Sequence, residues 1–127
     1  MNSRFDFKAV AYGFGTFVGG CLLVSMLTTA ALSPDTSSLD GPAWALVHLG
    51  GYLVPVAAGY VAAYSASHGR ILHGAVGGAL GVVLLLAPAA FAPDYPASGI
   101  PFVIAIYALL AWLGAIAGNH HRNKAGG

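Results

Sequence analysis

Four long stretches of this chain carry no charged side chain, and that limits the fold before any other feature does. They run from Ala9 to Leu32, Ala43 to Ala66, Ile71 to Ala92 and Ile100 to Gly118, and none contains Asp, Glu, Lys or Arg. A helix needs about 20 mainly apolar residues to cross a bilayer, and each stretch meets that length. A backbone in lipid must also satisfy its own N–H and C=O groups, which a helix does internally. The expected fold is therefore all-α: a polytopic membrane four-helix bundle, one transmembrane domain spanning residues 1–127. Only 7% of the residues are charged, against about 25% in soluble domains, so a water-facing fold would lack polar cover. The net charge of +1 leaves no basic footprint for nucleic acid. With Cys21 as the single cysteine, no internal disulfide and no C-x-x-C redox pair can form.

The connections suit spanning helices. Ser33–Pro42 reads SPDTSSLDGP and Pro93–Pro101 reads PDYPASGIP. Pro42 and Pro101 fall where a helix begins, a place that tolerates the missing N–H. Only Ser67-His68-Gly69-Arg70 separates the second and third stretches, which makes those helices antiparallel neighbours. The first stretch has a basic start and Thr28-Thr29-Ala30 near its end, as a signal peptide has, and Val18-Gly19-Gly20-Cys21 loosely matches a lipoprotein box. Its apolar run exceeds the roughly 7–15 residues of a signal peptide, and Leu22-Leu23-Val24 stays apolar after the cysteine. A plain spanning helix accounts for it better.

All five basic residues fall on one side. Arg4 and Lys8 precede the first helix, Arg70 lies between the second and third, and Arg122 and Lys124 follow the fourth. The other two connections carry Asp35, Asp40 and Asp94. The excess of Lys and Arg marks the cytoplasmic side, which places both termini in the cytoplasm of a bacterial inner membrane. Trp44 and Tyr95 suit the outer aromatic belt and Tyr64 the inner one.

A shift of 59 residues lays the chain on itself. Gly15 meets Gly74, Gly19 meets Gly78, Pro34-Asp35 meets Pro93-Asp94, Pro42 meets Pro101, and Ala58-Gly59 meets Ala117-Gly118. This pattern fits two duplicated hairpins in parallel repeat. Their pseudo-twofold axis would run along the membrane normal.

Small residues recur at spacings of three and four. Gly15 and Gly19 in the first helix, Gly59 in the second, Gly74 and Gly78 in the third and Gly118 in the fourth are the expected packing positions. Lipid is as apolar as leucine, so helices there associate by close approach of backbones, which small residues allow. Pro55 removes a mid-helix hydrogen bond and is expected to bend the second helix.

Chemistry-bearing residues are few. His48 and Tyr52 form a candidate polar site near the outer end of the second helix. An ionisable group at such depth is a functional candidate, but no acidic residue in any stretch could pass a proton onward, so the expected role is structural. Arg70 and His73 are candidate contacts for anionic lipid headgroups. His120 and His121 are expected in a solvated, headgroup-facing tail. No catalytic, cofactor or metal constellation is visible.

Gly59-Tyr60-x-Ala62-Ala63, followed by Gly69-Arg70-x-Leu72-His73-Gly74-x-x-x-Gly78, resembles small bacterial four-helix inner-membrane proteins. In these a Gly- and Ala-rich second helix meets a short basic turn and a Gly-x-x-x-Gly third helix. The resemblance covers about a third of the chain. It implies a four-helix inner-membrane protein and brings no activity, cofactor or catalytic residue. The function expected is a non-enzymatic accessory or self-associating helix-packing module, with the lipid bilayer and another membrane protein or a second copy as partners. The alternative is a minimal transporter or channel element near His48 and the Pro55 kink.

In a Cys21→Ser background, Lys124→Cys should resist an impermeant thiol reagent in intact cells, whereas Asp35→Cys should react. Labelling of Lys124→Cys without lysis would reverse the orientation.

Overall fold

A computed structural model describes residues 5–32, 41–91 and 99–126, with the side chains of 89 and 90 excepted. It consists of four helices: α1 (Phe7–Ala31), α2 (Gly41–Ser65), α3 (Arg70–Ala90) and α4 (Ile100–Ala125). All four are long and apolar enough to span a membrane. Arg4, Asp35, Asp40, Asp94 and Tyr95 lie outside the described residues.

The helix ends have local causes. Asp6 caps α1, its side chain accepting the Ala9 N–H at 3.2 Å, so the helix starts upstream of the uncharged stretch. Pro42 and Pro101 each occupy the second position of a helix. Gly69 has φ of +56°, a left-handed conformation that glycine adopts without steric cost. A Cβ there would also sit 3.2 Å from the His73 ring. This one residue lets α2 reverse into α3. Pro55 lies inside α2 without ending it.

The helices alternate in direction, and their contacts follow. α2 and α3 form the short diagonal of the arrangement. Each packs against the other, against α1 and against α4, whereas α1 and α4 barely touch. The close contacts are made where a side chain is missing. A methyl group at Gly59 would overlap the carbonyl of Ala111, and one at Gly114 or Gly118 would overlap the carbonyl of Val56 or Tyr60. The backbones of α2 and α4 therefore touch. On α3, Gly74 faces Ala115 and the Gly59 carbonyl, and Gly78 faces the Ala111 side chain. On α1, Gly13 meets Ala62, where an added Cβ would stand 2.7 Å from the alanine methyl, and Gly20 meets Val54 at 2.9 Å.

Gly15 and Gly19 depart from the expected packing positions. Both are exposed, and an added Cβ would have no neighbour within 4 Å. Gly13 and Gly20 occupy the contacts instead. α1 carries two small-residue faces, and the periodicity of small residues does not say which one meets protein. The 59-residue shift maps α2 onto residues 100–124, within α4. Equivalent glycines nonetheless differ in their surroundings: Gly15 and Gly19 are exposed, while Gly74 and Gly78 are buried.

Gly78→Leu should disrupt the α3–α4 contact, because overpacking of this kind costs about 1–3 kcal/mol or more. In the monomer, Gly15→Leu should change stability by no more than about 0.5 kcal/mol, as for a surface position. Thermal unfolding of both variants in the same detergent checks the contrast. Equal transitions would contradict the assignment of faces.

Candidate functional site

Two regions gather the polar side chains, one at each end of the helices. The first lies where the N-terminus of α1, the α2–α3 turn and the C-terminus of α4 converge. Asp6 is its hub. One carboxylate oxygen accepts from the Ala9 N–H, and the other accepts from the Ser67 N–H at 3.2 Å and the Ser67 hydroxyl at 3.1 Å. The Ser67 N–H bond and then the Ala9 N–H bond hold the Asp6 carboxyl below its ordinary range, a trend that desolvation opposes in part.

His73 is tied into the same cluster. The Asp6 backbone N–H donates to its Nε2 at 2.8 Å, so Nε2 carries a lone pair. The proton must then be on Nδ1, which donates to the Gly69 carbonyl at 2.8 Å. The imidazole is neutral in this arrangement and has one tautomer. It is only 3% exposed and packs against the Phe5 ring at a centroid distance of 4.9 Å. His73 is therefore no headgroup contact. Lying four residues beyond the left-handed Gly69, it turns inward under the end of α1.

Arg70 does remain at the surface of this end. Its Nε donates to the Ala66 carbonyl at 3.3 Å, and its Nη1 donates to the Asn123 side chain. Arg122 donates to the carbonyls of Tyr64 and Ala66. Two guanidinium groups thus sit on the C-terminal carbonyls of α2, which carry the negative end of its dipole. Tyr60 and His121 share a hydrogen bond. His120 and His121, expected in a solvated tail, are exposed and lie in the last turns of α4, which Arg122 and His121 tie to α2 and Asn123 ties to Arg70 at the start of α3. An open groove lined by Tyr64, Arg70, Arg122 and Asn123 lies beside them.

The second region is at the opposite end. His48 is exposed, its Nδ1 bonds the Trp44 carbonyl at 2.9 Å, and its ring stacks on Trp44 at 4.1 Å. Its partners are thus on its own helix. His48 and Tyr52 line a cavity of about 280 Å³ with Phe102, Val103, Ile106 and Tyr107. An adjoining cleft of about 400 Å³ runs between α1 and α2 towards Phe17 and Pro55. Below that level the space is filled by the contacts among Gly13, Ala58, Ala62 and Gly77.

Asp6, Ser67, Arg122 and His121 were not candidates from sequence. A signal for Asp6 was present, since an Asp three residues before Ala9 is an N-cap pattern. A signal for Arg122 was also present, since basic residues favour the last turn of a helix. Among the described residues no three His, Cys, Asp or Glu side chains are placed to share a metal ion. No family model, curated protein or solved structure matches the chain.

The depressed Asp6 carboxyl fixes the sign of a pH effect. A group whose folded pKa is lowered adds stability above its unfolded pKa, near about 3.9. That stability is lost as pH falls through the folded value. Asp6→Asn should lower stability at pH 7 and flatten the acid limb of the unfolding curve below about pH 4. An unchanged limb, measured by denaturation across pH 2–7, would show that the Asp6 hydrogen bonds carry no weight.

Proposed function

We propose that the chain is a non-enzymatic integral membrane protein of the bacterial inner membrane, with both termini cytoplasmic, and that it works as a helix-packing module that self-associates through α1. The observation that carries this reading is the outward stripe of Ala11, Gly15 and Gly19, all exposed. The two glycines have open space where a side chain would point. Inside the molecule every comparable glycine stripe is covered by another helix. A small-residue stripe facing lipid forgoes the backbone contact that drives association there, and a second α1 offers the matching surface. Flanking Leu22 and Met26 extend the same face, at 61% and 71% exposure.

Orientation is supported by Lys8, Arg70, Arg122 and Lys124, which the helices bring to one end. Anionic headgroups would meet Arg70 and Arg122 at that end. The transport alternative asks for a path that continues from His48 through the membrane. The cleft beside His48 stops at Phe17 and Pro55, which favours the packing module.

In membranes of the Cys21→Ser protein, Gly15→Cys should form a disulfide-linked dimer under mild oxidation. Phe102→Cys, on the lipid-facing side of α4, should not. Gly19→Ile should weaken the dimer at least about tenfold, an effect of about 1.4 kcal/mol. Equal cross-linking at Gly15 and Phe102 would reject α1 as the interface.

A further inference from the structure

Charge is unevenly distributed between the two ends of the molecule. Every Lys and Arg among the described residues lies at the Asp6 end: Lys8 in the first turn of α1, Arg70 at the start of α3, Arg122 and Lys124 in the last turns of α4. The acidic residues of the chain are all aspartates. Asp35, Asp40 and Asp94 belong to the connections that leave the opposite ends of the helices. Asp6 is at this end, but its two oxygens are taken by the Ala9 N–H and by Ser67. The partners of Arg70 and Arg122 among the described residues are uncharged: the carbonyls of Tyr64 and Ala66, and the Asn123 side chain.

The two guanidinium groups are held side by side. Arg70 Nε and Arg122 Nη1 donate to the same Ala66 carbonyl, at 3.3 and 2.7 Å. Those nitrogens therefore lie within about 6 Å of each other, where like charges repel and an anion placed against both is attracted twice. A guanidinium carries five N–H groups. The bonds that close the end of α2 use only part of each: Arg70 donates through Nε and Nη1, and Arg122 through Nη1 alone. The Nη2 groups of both, and the Nε–H of Arg122, have no acceptor among the described residues. Both arginines are half-buried, and with Tyr64 and Asn123 they line one open groove. Because backbone carbonyls already fix the two forks, a ligand need not order them on binding.

Phosphate is the anion that suits such a pair. Guanidinium forks bond phosphate oxygens two at a time. Two cations match the near-double charge that a phosphate monoester carries above its second pKa, near about 6. A carboxylate or a phosphodiester brings one charge.

We propose that the groove between Arg70 and Arg122 binds the phosphate group of a phosphate monoester, carried by a lipid headgroup or by a soluble ester. Arg122 meets it through its Nε–Nη2 edge and Arg70 through Nη2, while the carbonyl contacts stay in place. The site deepens the headgroup contact proposed above, resting on the membrane reading where the phosphate belongs to a lipid and in no case on self-association.

The test uses the full chain in dodecyl maltoside at about pH 7.5, where the monoester is mostly dianionic. Native mass spectrometry counts bound dioctanoyl phosphatidic acid, a monoester, against dioctanoyl phosphatidylglycerol, a diester. Phosphatidic acid should bind at least about fivefold more tightly. Arg70→Gln and Arg122→Gln should each weaken it at least about tenfold, the worth of a charge-assisted hydrogen bond. Lys124→Gln removes the same charge from the same end but outside the groove, and should weaken it less than about twofold. Arg70→Lys keeps the charge and loses the fork, so its weaker binding separates recognition from a folding defect. On the unaltered protein, phosphatidic acid should slow modification of Arg70 and Arg122 by phenylglyoxal. Glycerol 3-phosphate distinguishes the sources: competition at comparable concentration assigns a soluble ester, and its failure beside bound phosphatidic acid assigns a lipid headgroup. No binding of either monoester would overturn the proposal, as would equal binding of the two lipids. An equal loss in Lys124→Gln would also overturn it, and would reduce the effect to diffuse surface charge. None of these results bears on the Gly15 cross-link, so the two readings fail separately.

Discussion

Backbone-to-backbone contact at glycine is the interaction on which the rest of this molecule depends. Gly59, Gly114 and Gly118 bring α2 and α4 so close that a single methyl group on any of them would strike a carbonyl. Gly74 and Gly78 seat α3 against both helices, and Gly13 brings α1 onto Ala58 and Ala62. The gain comes from dispersion between closely packed atoms, because leaving lipid gains a helix nothing in hydrophobic energy. A contact of this kind tolerates no spacer. That is why alanine and glycine, and not leucine, dominate the interior, with Phe17, Val10 and Val82 as the larger buried side chains, and why most large apolar side chains point outward.

This inversion explains what the sequence discloses and what it conceals. The helices were legible because four uncharged stretches of sufficient length have few other uses. The proline positions and the Gly69 turn were legible from backbone chemistry. The orientation of each helix about its own axis was not. In water the buried face of a helix is the apolar one, so periodicity identifies it. Here both faces are apolar, and Gly15 and Gly19 recur as regularly as Gly74 and Gly78 while facing the other way. The polar cluster around Asp6 was hidden for a different reason. It joins residues far apart in sequence, Asp6 with Ser67 and His73, and Arg122 with Tyr64 and Ala66. Only folding brings them together. The reach of α4 past Gly118 follows from those contacts, since the tail is helical where it has α2 to hold.

The two ends of the molecule are built on different principles. At the Asp6 end, hydrogen bonds close the helix termini: a carboxylate caps α1, guanidinium groups cap α2, and a histidine of fixed tautomer bridges the start of α1 to the turn. Polar groups there are matched donor to acceptor. At the other end the Thr28 hydroxyl is buried without a partner among the described residues, and Pro55 leaves the Gly51 carbonyl without its helical donor. His48, the candidate polar residue of α2, is satisfied by its own helix through the Trp44 carbonyl and ring.

The uneven packing of the two halves also makes the molecule mechanically anisotropic. Void volume is what a protein gives up under pressure, and here it is concentrated beyond Phe17. The half rich in glycine contacts has little volume to yield, whereas the cleft half can contract as its walls approach. Sideways compression would therefore be taken up mainly where α1 meets α2 and α3, with the Phe17 layer acting as the fulcrum. The same gaps make the molecule compressible at one end and stiff at the other.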